Sequence, residues 1–105
     1  MLSLTYQEYE RALSDHPLLL VDFFAEWCAP CKMMEPVLAD LEKARPEIAV
    51  ARVNIDKEDD LAVENDISLL PTLVLYRDGV EVERFVGTMT LAQLSAKLKL
   101  ALGES

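Results

Sequence analysis

The stretch "LLLVDFFAEWCAPCKMMEPVLADLEKA", residues 18–44, changes its period in the middle. Residues 18–24 are apolar apart from Asp22, an unbroken run of strand length. Such a run reads as a strand buried on both faces, as in a parallel sheet. From Ala29 to about Arg45 the apolar residues fall at helical spacing. Met34, Val37, Leu38 and Leu41 share one stripe, with Lys32, Glu35, Glu42 and Lys43 elsewhere. Pro30 falls in the first turn, where proline is tolerated. Pro36 lies inside the helix, where it removes the bond to the carbonyl of Lys32 and should bend the axis.

The flanks extend this strand–helix unit. Thr5 and Glu8 make a capping box, and Leu4 is placed to staple against Tyr9, which predicts a helix over about 5–14. A short strand at 2–4 can precede it. Downstream, "IAVARVNI" (48–55) reads as a strand, and "KEDDLAVEN" (57–65) as a short helix with acids in its first turns. "TLVLY" (72–76) and "VEVERFVG" (80–87) read as a hairpin turning at Asp78-Gly79. Thr90 and Gln93 open a last helix with an apolar stripe of Leu91, Leu94, Leu98 and Leu102, ended by Gly103. The order implies an α/β fold: a central mixed sheet of four to five strands, helices on both faces, one domain over residues 1–105.

Half of the composition is apolar, so a chain of 105 residues can bury a core without covalent staples. The net charge of −9, from 19 acidic and 10 basic residues, argues against nucleic acid and against anionic membrane surfaces. No apolar run approaches a membrane span of about 20 residues. "MLSLTYQEYERAL" lacks the basic start and apolar core of a signal peptide, so the cytoplasm is the expected compartment. There a close cysteine pair is more often catalytic or metal-binding than structural.

The two cysteines of the chain are Cys28 and Cys31. Cys28 lies where strand gives way to helix, and Cys31 is one turn in. Residues i and i+3 share a helical face, with Cβ atoms about 5–6 Å apart. A small rotation brings them to disulfide distance, so the pair can close and open without unfolding the helix. The unpaired N–H groups of the first turn and the helix dipole favour a thiolate at Cys28. An exposed reactive thiol beside a more sheltered one makes an attacking and resolving pair. A zinc site needs four ligands, and His16 is the only histidine. Haem attachment needs histidine after the second cysteine, where Lys32 stands. A staple closing so short a ring constrains the unfolded chain little. Redox exchange is favoured, with two inert thiols as the alternative. Asp22 adds to this, because a carboxylate in an apolar strand is costly and keeps its proton. It is placed to act as a general base for a nearby thiol. The plainer alternative is a partner such as Arg52 on the next strand.

The run "VDFFAEWCAPCKMMEP" resembles the active-site segment of the thioredoxin family, in which C-x-x-C accompanies a β-α-β pattern. The match extends to "VNID" (53–56), "PTL" (71–73), "DGVEVERFVG" (78–87) and the closing helix, and so covers nearly the whole chain. The resemblance implies a thioredoxin fold with Cys28 as nucleophile, Cys31 as resolving thiol and Asp22 handling the Cys31 proton. It implies a groove in which Pro71 is a cis-proline facing the disulfide and Leu70 offers its backbone to an extended substrate. Trp27 flanks the nucleophile, and Gly87 leaves room beside the groove. Ala29, Pro30 and Leu69 complete that surface. The chain departs from the commonest pattern at Ala29, where glycine is frequent, and at Phe24 for tryptophan. It departs also at Leu69 for glycine, at Arg52 for lysine, and in a short N-terminus that can leave the first strand reduced or missing.

The function so implied is protein dithiol–disulfide exchange, chiefly the reduction of disulfide-containing client proteins by a monomer. No bound cofactor or metal is implied. The Cys28–Cys31 disulfide would be reduced by a thioredoxin reductase, so that NADPH serves indirectly and the protein carries electrons in redox homeostasis. Two other functions compete: an oxidase or isomerase on the same fold, and a non-catalytic binding or chaperone-like subunit using the groove near Trp27 and Pro71.

Overall fold

Residues 18–24 do form the strand at the centre of the molecule, and the reason is visible in their neighbours. The computed structural model describes residues 1–104. Its elements are β1 (Leu2–Ser3), α1 (Tyr6–Asp15), β2 (Leu18–Phe24), α2 (Ala29–Ala44), β3 (Ala49–Asn54), α3 (Asp59–Glu64), β4 (Thr72–Arg77), β5 (Val80–Val86) and α4 (Leu91–Ala101). They build one sheet in the order β1-β3-β2-β4-β5. β3 is parallel to β1 and β2, whereas β4 is antiparallel to β2 and β5 to β4. β2 thus has a strand on each side.

It also has helices over each face. Leu19, Val21 and Phe23 pack with Tyr9, Ala12 and Leu61 on the side of α1 and α3. Leu20 packs with Met34, Leu38, Leu41, Leu94 and Leu98 on the side of α2 and α4. Every residue of β2 after Leu18 is buried, so no polar alternation survives except at Asp22. By the two-residue period, Asp22 and Phe24 share the face of Leu20, beneath α2. All four expected apolar stripe positions of α2 pack on this core, with Val37 only partly buried. The helix runs on through Pro36 as one element.

Local signals produce their structures directly. Both capping boxes form, at Thr5 and at Thr90. The hairpin turns at Asp78 (φ 52°) and Gly79 (φ 81°), the pair of left-handed residues that a two-residue turn requires. A Cβ at Gly79 would stand 3.3 Å from the carbonyl oxygen of Leu13, so space as well as φ selects glycine. The first strand is reduced rather than missing: two residues pair with β3, and Leu4 N–H adds a bond of 2.8 Å to the Arg52 carbonyl.

Candidate active site

β2 ends at Phe24 and α2 starts at Ala29, so Cys28 is the residue on which the helix begins. It occupies the N-cap with extended backbone (φ −91°, ψ 106°). Its sulfur accepts the Cys31 N–H at 3.2 Å, the role that a serine or aspartate oxygen usually takes. Cys28 and Cys31 form a disulfide with Cα atoms 5.3 Å apart. When that bond opens, the first-turn N–H groups and the helix dipole stabilise negative charge on the Cys28 sulfur.

The exposed Cys28 expected from the sequence is a nearly buried one. It is 5% exposed and Cys31 is 0%. The cause is packing, since both belong to a small cluster with Phe24 and Ala25, against which Ile55 and Leu70 lie. The asymmetry between the two sulfurs nevertheless persists, because Cys28 lines a groove and Cys31 does not.

That groove has a volume of about 430 Å³. Trp27, Ala29 and Pro30 line it beside Cys28, and the segment Ile67–Leu70 between α3 and β4 lines it with Ile55. Trp27 and Leu69 are 70% and 63% exposed, unusual for side chains so apolar. The indole N–H of Trp27 donates to Asp56 Oδ2 at 2.8 Å. Asn54 Oδ1 in turn accepts the N–H groups of Asp56 and Lys57. Pro71 and Gly87 stand outside the groove lining. Pro71 is buried behind Leu70 in a cis peptide bond, and its carbonyl accepts the Gly87 N–H at 2.9 Å. A Cβ at Gly87 would meet nothing within 4 Å, so its φ of 94° is what calls for glycine there. Sequence reasoning missed Ile55, Ile67, Ser68 and Asp56. The signal for Ile55 was its place just after β3, where its N–H bonds the Phe24 carbonyl at 2.9 Å.

Asp22 is fully buried and has a partner as well as a shifted carboxyl. Arg52, its register partner on β3, donates from Nε to Oδ2 at 3.1 Å. Burial pushes the carboxyl up from 3.8 to about 6, while the Arg52 charge and hydrogen bond pull it down and Glu35 pushes it up further. Asp22 therefore has the Arg52 partner, and burial still keeps its carboxyl above the usual carboxylate range. Among the described residues no group of three or more His, Cys, Asp or Glu side chains is placed to hold a metal ion.

Comparison with known proteins points the same way as the geometry. A family model described as Thioredoxin matches residues 1–100. The thioredoxin of Chlamydia trachomatis serovar D is 50% identical over 70 residues, 67% of this chain and 69% of its own. The mitochondrial thioredoxin-2 of Schizosaccharomyces pombe is 39% identical over 95 residues, 89% of this chain and 71% of its own. The solved structure of oxidised mitochondrial thioredoxin 3 from Saccharomyces cerevisiae superposes with a TM-score of 0.87 at 32% identity, covering 94% of this chain and 93% of that one.

Proposed function

The chain belongs to the thioredoxin family and is a protein dithiol–disulfide oxidoreductase, and from that premise we propose that Cys28, Cys31 and Asp22 divide the chemistry between them. In the reduced protein the Cys28 thiolate attacks one sulfur of a client disulfide. A Cys28–client bond forms, and the other client sulfur leaves as a thiolate. Asp22 takes the Cys31 proton, and the Cys31 sulfur then attacks Cys28. The second client sulfur leaves and picks up a proton. Two electrons have passed from the cysteine pair to the client, and the Cys28–Cys31 disulfide is restored.

The observation that carries this reading is the unequal reach of the two sulfurs: one borders the groove, and the other is sealed behind it. The groove walls suit an extended client segment. Trp27, Leu69 and Leu70 would contact apolar side chains beside its cysteine, while Pro71 and Gly87 shape the backbone on which Leu70 sits. The whole of residues 1–105 acts as one domain and as a monomer in the cytoplasm. Its disulfide is reduced by a thioredoxin reductase at the expense of NADPH. With a net charge of −9, its partners present basic rims, and association weakens with salt.

Coupling the protein to purified thioredoxin reductases and following NADPH oxidation with insulin as client tests this assignment. Turnover that needs both reductase and protein is expected, and inactivity with every reductase overturns the partner. Ala29 borders the groove and is exposed, so its methyl group lies on the surface a partner approaches. Ala29→Gly is expected to leave dithiothreitol-driven turnover nearly unchanged and to alter the ranking among reductases and clients. Identical rates with all of them would exclude such a role.

A further inference from the structure

Arg52 is bonded unevenly. Its Nε donates to Asp22 Oδ2 at 3.1 Å, and its Nη1 donates to Glu35 Oε1 at 3.3 Å. Its guanidinium carbon lies 3.7 Å from the centroid of the Phe24 ring, close enough for a cation–π contact. Two buried polar atoms have no hydrogen-bond partner among the described residues, Arg52 Nη2 and Asp22 Oδ1. Nε and Nη2 form the side-on edge of the guanidinium fork, which matches the two oxygens of a carboxylate. The two orphaned atoms are therefore the two halves of a single missing rung. Buried donors and acceptors almost always find partners, so an open rung between neighbours needs a cause.

Two contacts hold the far side of the guanidinium. Glu35, on the outer face of α2, takes Nη1, and the Phe24 ring fixes the plane in which the fork can turn. We propose that Glu35 and Phe24 hold Arg52 in a one-rung posture on Asp22, so that Oδ1 stays free to take the Cys31 proton; this makes Glu35 a positioning residue for the resolving step. The inference rests on the assignment of Asp22 as proton acceptor. A closed second rung would occupy Oδ1 with an N–H donor and favour the ionised carboxylate, and both effects weaken Asp22 as a base. The negative charge of Glu35 acts in the opposite direction. Other ionisable groups do not compete on this face. Leu73 stands opposite Asp22 on β4, Phe85 faces inward from β5, and Leu94 and Leu98 do so from α4. The charged groups that act on it are Arg52 from β3 and Glu35 from α2.

The test is a carbon-13 titration of the Asp22 carboxyl in the reduced protein, in parallel with the pH profile of mixed-disulfide resolution. Glu35 is half-exposed, so Glu35→Gln is expected to fold normally. In that variant the Asp22 midpoint should fall by roughly half a pH unit or more, because a like charge is lost and the weaker amide hold on Nη1 lets the second rung close. The acid limb of the resolution profile should move down with it, and the rate above pH 7 should drop about twofold as the base weakens. Glu35→Asp, which keeps the charge, should restore part of the shift. A midpoint unchanged or raised in Glu35→Gln overturns the role of Glu35. Asp22→Asn separates the two levels. If it lacks the acid limb, the assignment of Asp22 stands whatever Glu35 does; if it keeps the limb, that assignment falls and the proposal with it.

Discussion

Cys31→Ser is expected to turn the protein from a catalyst into a trap. Cys28 remains at the groove on the N-cap of α2 and can still attack a client disulfide. The sulfur that would release the client is gone. Cys31 acts as an intramolecular thiol, and well-oriented groups of this kind reach effective molarities of roughly 10⁵–10⁸ M. Millimolar dithiothreitol replaces it poorly, so turnover should fall on the order of a thousandfold or more. The adduct should then accumulate as a one-to-one mixed disulfide through Cys28, visible by mass spectrometry under non-reducing conditions. Cys28→Ser should form no adduct, since Cys31 is sealed from the groove. Adducts through Cys31, or none in either variant, would reverse the division of roles.

Asp22→Asn should remove a pH-dependent destabilisation. Below pH 3.8 the Asp22 carboxyl is neutral in both folded and unfolded chains and contributes nothing. Between that value and about 6 the unfolded chain has released its proton while the folded chain still holds it. The unfolded state binds fewer protons there, so stability falls as pH rises, and the full loss is reached above about 6. The gap between 3.8 and about 6 corresponds to about 3 kcal/mol. The stability difference between Asp22→Asn and the parent should therefore grow by about that amount between pH 3.8 and 7.5 in urea unfolding. Loss of the Arg52 contact adds an offset that does not vary over this range. The same variant should slow the resolving step by roughly tenfold or more. A difference that stays flat with pH would show that Asp22 titrates in the folded protein as it does in a free chain.

Features set by neighbours in the chain were legible in the sequence. Thr5 and Thr90 cap their helices because each box spans four residues, and Asp78-Gly79 turns because both residues tolerate left-handed backbone. The stripe of Met34, Leu38 and Leu41 follows from helical spacing alone. Asp22 stood out as the single acid of a buried strand, and Arg52 could be named as its partner. What escaped depends on how distant segments meet. Ile55 reaches the groove, and Asp56 the Trp27 indole, through the parallel register of β2 and β3, which places Ile55 beside Phe24. Ile67 and Ser68 reach it through the path of the chain after α3, where Asp66 takes a φ of 55°. The near-burial of Cys28 arises from packing by Phe24, Ala25 and Leu70. The uneven bonding of Arg52 involves a guanidinium from β3 shared between β2 and α2, which spacing does not encode.

Insulin reduction driven by dithiothreitol tests the redox function most directly. The protein should accelerate precipitation of the reduced insulin chain well beyond dithiothreitol alone, and Cys28→Ser should return the rate to that background. A protein no faster than dithiothreitol, or a Cys28→Ser variant as active as the parent, would contradict it.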